Sequence, residues 1–381
     1  MMQRHRYIAA GLVPVFLAAM ASSHAAEGEP ALAYSTIHEA AAMGDAGCVA
    51  QHLARGIDVN LKTAAQGMSP LHFAVLEGHT DVVDLLLAKG ADPNIRDNWG
   101  STPVHKAVLE QDIEILEQLL DGGARLDVGD NQGRTPLHWA AFEGLDDIAK
   151  MLLDHKADPN AKGAGGLTPL HAAAMAGQAG TATVLLSGGA TPDPVDASGI
   201  TPLGLARKSN LAALVDLLEA RGAHLTVHDA AMLGDVDTLK RMIDEDSSIV
   251  NARSQSGTTP LHFAAMAGHE NAARLLLEKG ADSSARKEDG WTPLHVAAIQ
   301  GWSNCVDLLA AHGADVNSRD PGGLTPLALA ARKGHTATVD TLLRDGADRS
   351  LRDIRGMTPL DHAVQGGHED AAALLRPNET P

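Results

Sequence analysis

The sequence predicts an all-α solenoid, a stack of short helix pairs in which each layer is buried by its neighbours. Thr-Pro-Leu or a near variant recurs with one fixed period, from Ser69 through Thr102, Thr135, Thr168 and Thr201, then Thr259, Thr292, Thr325 and Thr358. A fixed period of this kind marks a repeat architecture, and it overrides the two or three globular domains that 381 residues would otherwise suggest. The composition agrees. Hydrophobic residues make up 44% of the chain but aromatics only 3%, so the core must be built from Ala, Leu, Val and Met, which suit thin, regular helix layers.

The first segment reads as a targeting signal outside the fold. Arg4 and Arg6 precede an almost wholly apolar run from Tyr7 to Ala21, and Ser23-His24-Ala25 offers small residues where a signal peptidase reads. The run is shorter than the ~20 residues a spanning helix needs, and no Cys follows it to carry a lipid. Residues 1–25 are therefore expected to be a signal peptide and 26–33 a linker. The chain is expected in the periplasm or secreted, with no membrane insertion after cleavage. Its formal net charge is −18, and loss of residues 1–25 removes two Arg and no acid. Such a chain repels phosphate backbones and anionic lipids, which argues against nucleic acid as a partner.

One unit shows why its residues recur. In Thr135-Pro136-Leu137-His138-Trp139-Ala140-Ala141-Phe142-Glu143-Gly144, Thr135 suits an N-cap and Pro136 the first helical position, where no N–H is needed. Leu137 and Ala141 fall on one face, and Gly144 ends the helix. Ile148, Met151 and Leu152 give a second helix its apolar side. Asp130-Asn131-Gln132-Gly133, just ahead of the unit, is turn chemistry and predicts a hairpin-like finger.

These residues, with closes such as Gly90-Ala91-Asp92-Pro93-Asn94 and Gly313-Ala314-Asp315-Val316-Asn317, make the chain resemble the ankyrin repeat family, in an exported bacterial form. The resemblance implies an ankyrin-repeat solenoid of helix-turn-helix units with β-hairpin or loop fingers, about eleven repeats in all. It also implies a protein partner held on the concave face made by fingers and first helices. Departures mark weak points: Gln111 and Asn210 replace the mid-repeat Gly, Lys156 replaces the closing Gly, and Gly204 replaces the His of the sixth unit.

Two degenerate starts complete the count, Ser35-Thr36-Ile37-His38 and Leu225-Thr226-Val227-His228, each slightly more than one period ahead of the next start. The interval from Thr201 to Leu225 falls well short of a full period, so one finger is missing there. We expect two arrays, 34–224 with six repeats and 225–376 with five, meeting at a weak joint, followed by a short tail at 377–381.

Nineteen histidines invite a metal reading. Eight fall once per layer, at the last position of the opening tetrapeptide, and layers roughly 8–10 Å apart cannot supply several ligands to one ion. The resemblance instead makes these eight, His38, His72, His105, His138, His171, His228, His262 and His295, struts between neighbouring units. Cys48 and Cys305 occupy the same position eight repeats apart, beyond disulfide reach, and read as buried hydrophobes. No nucleophile elbow or phosphate loop occurs, so neither catalysis nor a cofactor is expected.

Binding is the remaining reading. The position two residues before the mid-repeat Gly carries Leu76, Leu109, Phe142, Met175, Met232, Met266 and Ile299, interrupted by Lys208. Trp99 and Trp291 lie in otherwise polar fingers, where exposed Trp marks hot spots. Trp139 reads as core, and Trp302 fits either role. The expected protein is a monomeric, non-catalytic scaffold whose contacts are Trp99, Phe142 and Trp291, with Leu76, Leu109, Met175, Met266 and Ile299 around them. A secreted effector engaging host proteins and an accessory to a periplasmic enzyme are the alternatives.

Overall fold

A computed structural model describes residues 32–376. The expected signal peptide at 1–25, most of the linker and the tail at 377–381 lie outside them. The described residues form twenty-two α-helices, from α1 (Ile37–Ala42) to α22 (Glu369–Leu375), arranged as eleven antiparallel-type pairs, and no strand occurs among them. Helices pack layer on layer, as α7 (Pro136–Glu143) does on α9 (Pro169–Ala176) and α8 (Asp146–Asp154) on α10 (Ala179–Ser187). Stacking seals the core: Leu137, Ala140, Ala141, Ile148 and Leu152 are all buried.

The local chemistry explains why each pair forms. Thr135 takes an extended N-cap conformation, and Gly144 closes α7 at φ +76°, a region that most side chains resist. Gln111, Lys156 and Asn210 adopt positive φ without being Gly, so the substituted positions kept the backbone their repeat requires.

The fingers are tight turns, not paired strands. In one, the Asp130 N–H donates to Arg134 O at 2.9 Å. Neighbouring fingers are then linked through single backbone bonds, such as Asn131 N–H to Trp99 O at 2.9 Å and Ala164 N–H to Gln132 O at 2.6 Å. One bond per layer does not make a ladder, which is why the hairpin expectation gives way to loops.

The two degenerate starts shift by one position. The N-caps are Thr36 and Thr226, whose hydroxyls accept from the Glu39 and Asp229 N–H groups. Each then sits one full period before the next cap, at Ser69 and Thr259. His38 and His228 move to the second helical position and carry no capping bond, yet they still tie to the finger that follows, through Nε2–H to Leu61 O at 2.7 Å and to Ala252 O and Thr258 O at 3.1 and 3.2 Å.

The joint is better built than its missing finger suggests. α11 (Pro202–Lys208) lies directly against α13 (Val227–Leu233). Asp229, fully buried, accepts from Thr201 N–H at 3.1 Å, Thr201 Oγ1 at 2.8 Å and Thr226 N–H at 2.8 Å. Gly204 makes the room, since a Cβ there would stand 1.9 Å from Asp229 Oδ1. The finger before Thr259 bridges the gap, with Ser256 N–H donating to Ala197 O at 2.9 Å. The buried apolar side chains still fall into two clusters, one running from Ile37 to Ala223 and one from Ile200 to Leu375, with Leu205 packed against both.

Candidate partner-binding surface

Any surface for a partner must be what remains once the repeats have tied themselves together. One recurrent tie is the histidine near six of the first-helix starts. His138 Nδ1 accepts the Thr135 N–H at 3.1 Å, so its Nε2 carries the proton and donates to Leu167 O at 3.0 Å in the next unit. His72, His105, His171, His262 and His295 do the same toward Ser101, Arg134, Ile200, Trp291 and Leu324. Burial lowers the pKa of every one, to about 4 for His72, His105 and His262. These rings are neutral struts. Among the described residues no group of three or more His, Cys, Asp or Glu is placed to hold a metal ion.

A second set of ties runs from the start of each second helix. His79, His269 and His335 donate back to Ala42, Met232 and Ile299 carbonyls at 3.0–3.1 Å. Trp302 replaces such a histidine and performs its task, its indole N–H reaching Met266 O at 3.0 Å. Its role is therefore structural. Trp139 is also tied down, with its N–H on Asp130 Oδ2 at 3.2 Å and Arg134 stacked over its ring. Cys48 and Cys305 are buried free thiols, and burial raises the Cys305 pKa to about 11, which leaves no reactive thiolate there.

The anticipated contact residues divide sharply. Trp99 is 50% exposed, Phe142 49% and Met175 54%. Phe142 and Met175 end the first helices of adjacent units, and Trp99 stands on a finger in the same half. Trp99 is preorganised: its N–H donates to Asp97 Oδ1 at 2.9 Å, and Lys106, paired with Asp97 at 2.8 Å, lies 5.7 Å from its ring. Leu76, Leu109, Met266 and Ile299 are half-buried, and Met232 is buried. Their position faces the neighbouring helix more than solvent.

Trp291 departs from the expectation of a wet aromatic. It is half-buried, donates its indole N–H to Asp320 Oδ2 at 3.1 Å and stacks on His295, so it fastens one finger to the next. The sequence reading also passed over the finger aspartates. Asp97, Asp130, Asp320 and Asp353 gather backbone N–H groups and side chains: Lys106 on Asp97, Arg134 and Trp139 on Asp130, Trp291 on Asp320, and Arg355 and His362 on Asp353. Their recurrence at a fixed place ahead of the caps Thr102, Thr135, Thr325 and Thr358 was a usable signal.

No helix of the described residues is long and apolar enough to cross a membrane. In comparisons with known proteins, the family described as Ankyrin repeats (3 copies) matches residues 89–163, 227–320 and 317–380. The single Ankyrin repeat family matches residues 66–98 and 165–197. Among curated proteins the chain is similar to the 2-5A-dependent ribonuclease of Mus musculus, 42% identical over 67 residues, which is 18% of this chain and 9% of that protein. It is also similar to the transient receptor potential cation channel subfamily A member 1 of Homo sapiens, 39% identical over 56 residues, 14% of this chain and 5% of the channel. A third likeness is to a probable E3 ubiquitin-protein ligase XBOS33 of Oryza sativa subsp. japonica, 62% identical over 32 residues, 8% of this chain and 6% of that one. The chain thus spans less than a tenth of the length of these relatives, and what is shared is the repeat.

Proposed function

The chain belongs to the ankyrin-repeat family, and from that premise we propose that it is a non-catalytic scaffold that holds a protein partner on its finger and first-helix face. The observation that carries this reading is the exposure of Trp99, Phe142 and Met175, three of the large apolar side chains left about half exposed, on a finger and on two adjacent first helices. Exposed apolar groups of this size mark contact sites. Their backbones are fixed by struts and caps, so binding costs little ordering entropy. Fold alone does not name the partner.

The test is a W99A/F142A/M175A variant. It should keep the wild-type helical circular dichroism spectrum, because none of the three fills the core. Its affinity for a partner captured by the wild-type chain from the native host should fall by roughly a hundredfold or more, as for central hot-spot residues. Undiminished affinity in a folded triple variant would sink the assignment.

A further inference from the structure

The finger edge of the second half carries four evenly spaced arginines, in a chain whose net charge is −18, with the exposed acids Glu288 and Asp289 among them. Arg253, Arg286, Arg319 and Arg352 recur at the repeat interval, and all four are exposed. Each is also held in place. Arg253 donates to the Arg286 carbonyl, Arg286 to the Arg319 carbonyl at 2.9 Å, and Arg319 to the Arg352 carbonyl. Arg352 folds onto its own finger at Gly356 O, 2.6 Å away. These contacts use one or two of the five N–H donors on each guanidinium. What results is a row of fixed cations at the repeat spacing, roughly 8–10 Å for packed helix layers.

We propose that this row is a docking edge for an extended acidic peptide segment that presents one carboxylate per repeat. The inference rests on the partner-binding reading above but concerns a different surface, in the other half of the molecule. An extended polyproline-type chain rises about 3.1 Å per residue with three residues per turn. A carboxylate at every third position therefore returns to the same side about every 9 Å, in step with the layers. Guanidinium forks match carboxylates in two-point hydrogen bonds, and prior fixation by backbone carbonyls lowers the ordering cost. A long polyphosphate fits worse. Its charges are more closely spaced than the forks.

The experiment measures fluorescence anisotropy of a labelled (Glu-Pro-Pro)4 peptide with the full chain, beside an isomer with its four Glu in one block and a twelve-nucleotide oligo-dT. The spaced peptide should bind at least about tenfold tighter than the block isomer, since only it can reach all four forks. R253Q/R286Q/R319Q/R352Q should lose that binding, and W99A/F142A/M175A should keep it, so that failure at either surface is read separately. The corresponding four Arg→Lys changes should fold, because Lys62 makes the same carbonyl contact to Arg96 at 2.8 Å in this chain, and should bind more weakly for want of the fork. Equal binding of the two isomers, tighter binding of oligo-dT, or wild-type affinity in the folded Gln variant would each overturn the proposal. The isomer comparison needs no variant to fold.

Discussion

Lys156 occupies a backbone position at φ +70° where its counterparts Gly90, Gly123 and Gly189 lie at +84°, +89° and +94°. A side chain there is strained, so Lys156→Gly should stabilise the protein by about 0.5–1 kcal/mol, read as a higher urea midpoint at unchanged slope; a lower midpoint would show that the lysine repays its strain elsewhere. That weak point was legible in the sequence, because the repeat states which residue belongs at each position. Trp291 was not. Its finger is as polar as that of Trp99, and although Trp291 directly precedes its cap Thr292 while Trp99 stands before the finger Gly100, nothing in the sequence shows that its indole reaches Asp320 on the next finger. His38 and His228 keep the expected tie to the finger that follows but not the place beside the cap. With Ile or Val where Pro normally stands, nothing local says which hydroxyl caps the helix, and Glu39 and Asp229 hold the third helical position instead.

Within each first helix the strut histidine couples stability to pH. Burial holds these rings below the ordinary 6.5, and to about 4 for three of them. The unfolded chain therefore binds more protons than the folded one once pH falls below 6.5. The stabilisation is complete above that value and is lost as pH drops toward about 4, at up to about 1.4 kcal/mol per pH unit for each ring. Protonation would also set an N–H at Nδ1 against the N–H of the capping residue. Urea midpoints should thus decline steeply between pH 6.5 and 4, before most carboxylates titrate. Asp229, whose pKa burial raises, works in the opposite sense and softens the fall. A flat profile across that window would contradict the strut assignment. The helix pairs and their caps were readable from the repeat register; the finger turns were not, because turn residues do not reveal that each finger shares only one bond with its neighbour.

For the molecule as a whole, the short interval at residues 201–225 suggested a weak joint between two arrays, but the chain repairs it with a matched pair, Gly204 and Asp229, and a finger that reaches across. In a stack stabilised only by neighbours, the poorest interface decides whether the halves unfold together. Calorimetry of the wild type should show one transition. Gly204→Ala, whose Cβ would collide with the Asp229 carboxylate, should split it into two or lower it by several degrees. An unchanged single transition in that variant would mean that the clamp does not carry the coupling.

The unit headed by Thr226 carries a further consequence. Its Thr226 N–H is capped by its own Asp229, while the same carboxylate holds Thr201 of the preceding unit. Loss of that one side chain would therefore uncap the later array and release the end of the earlier one at a single stroke.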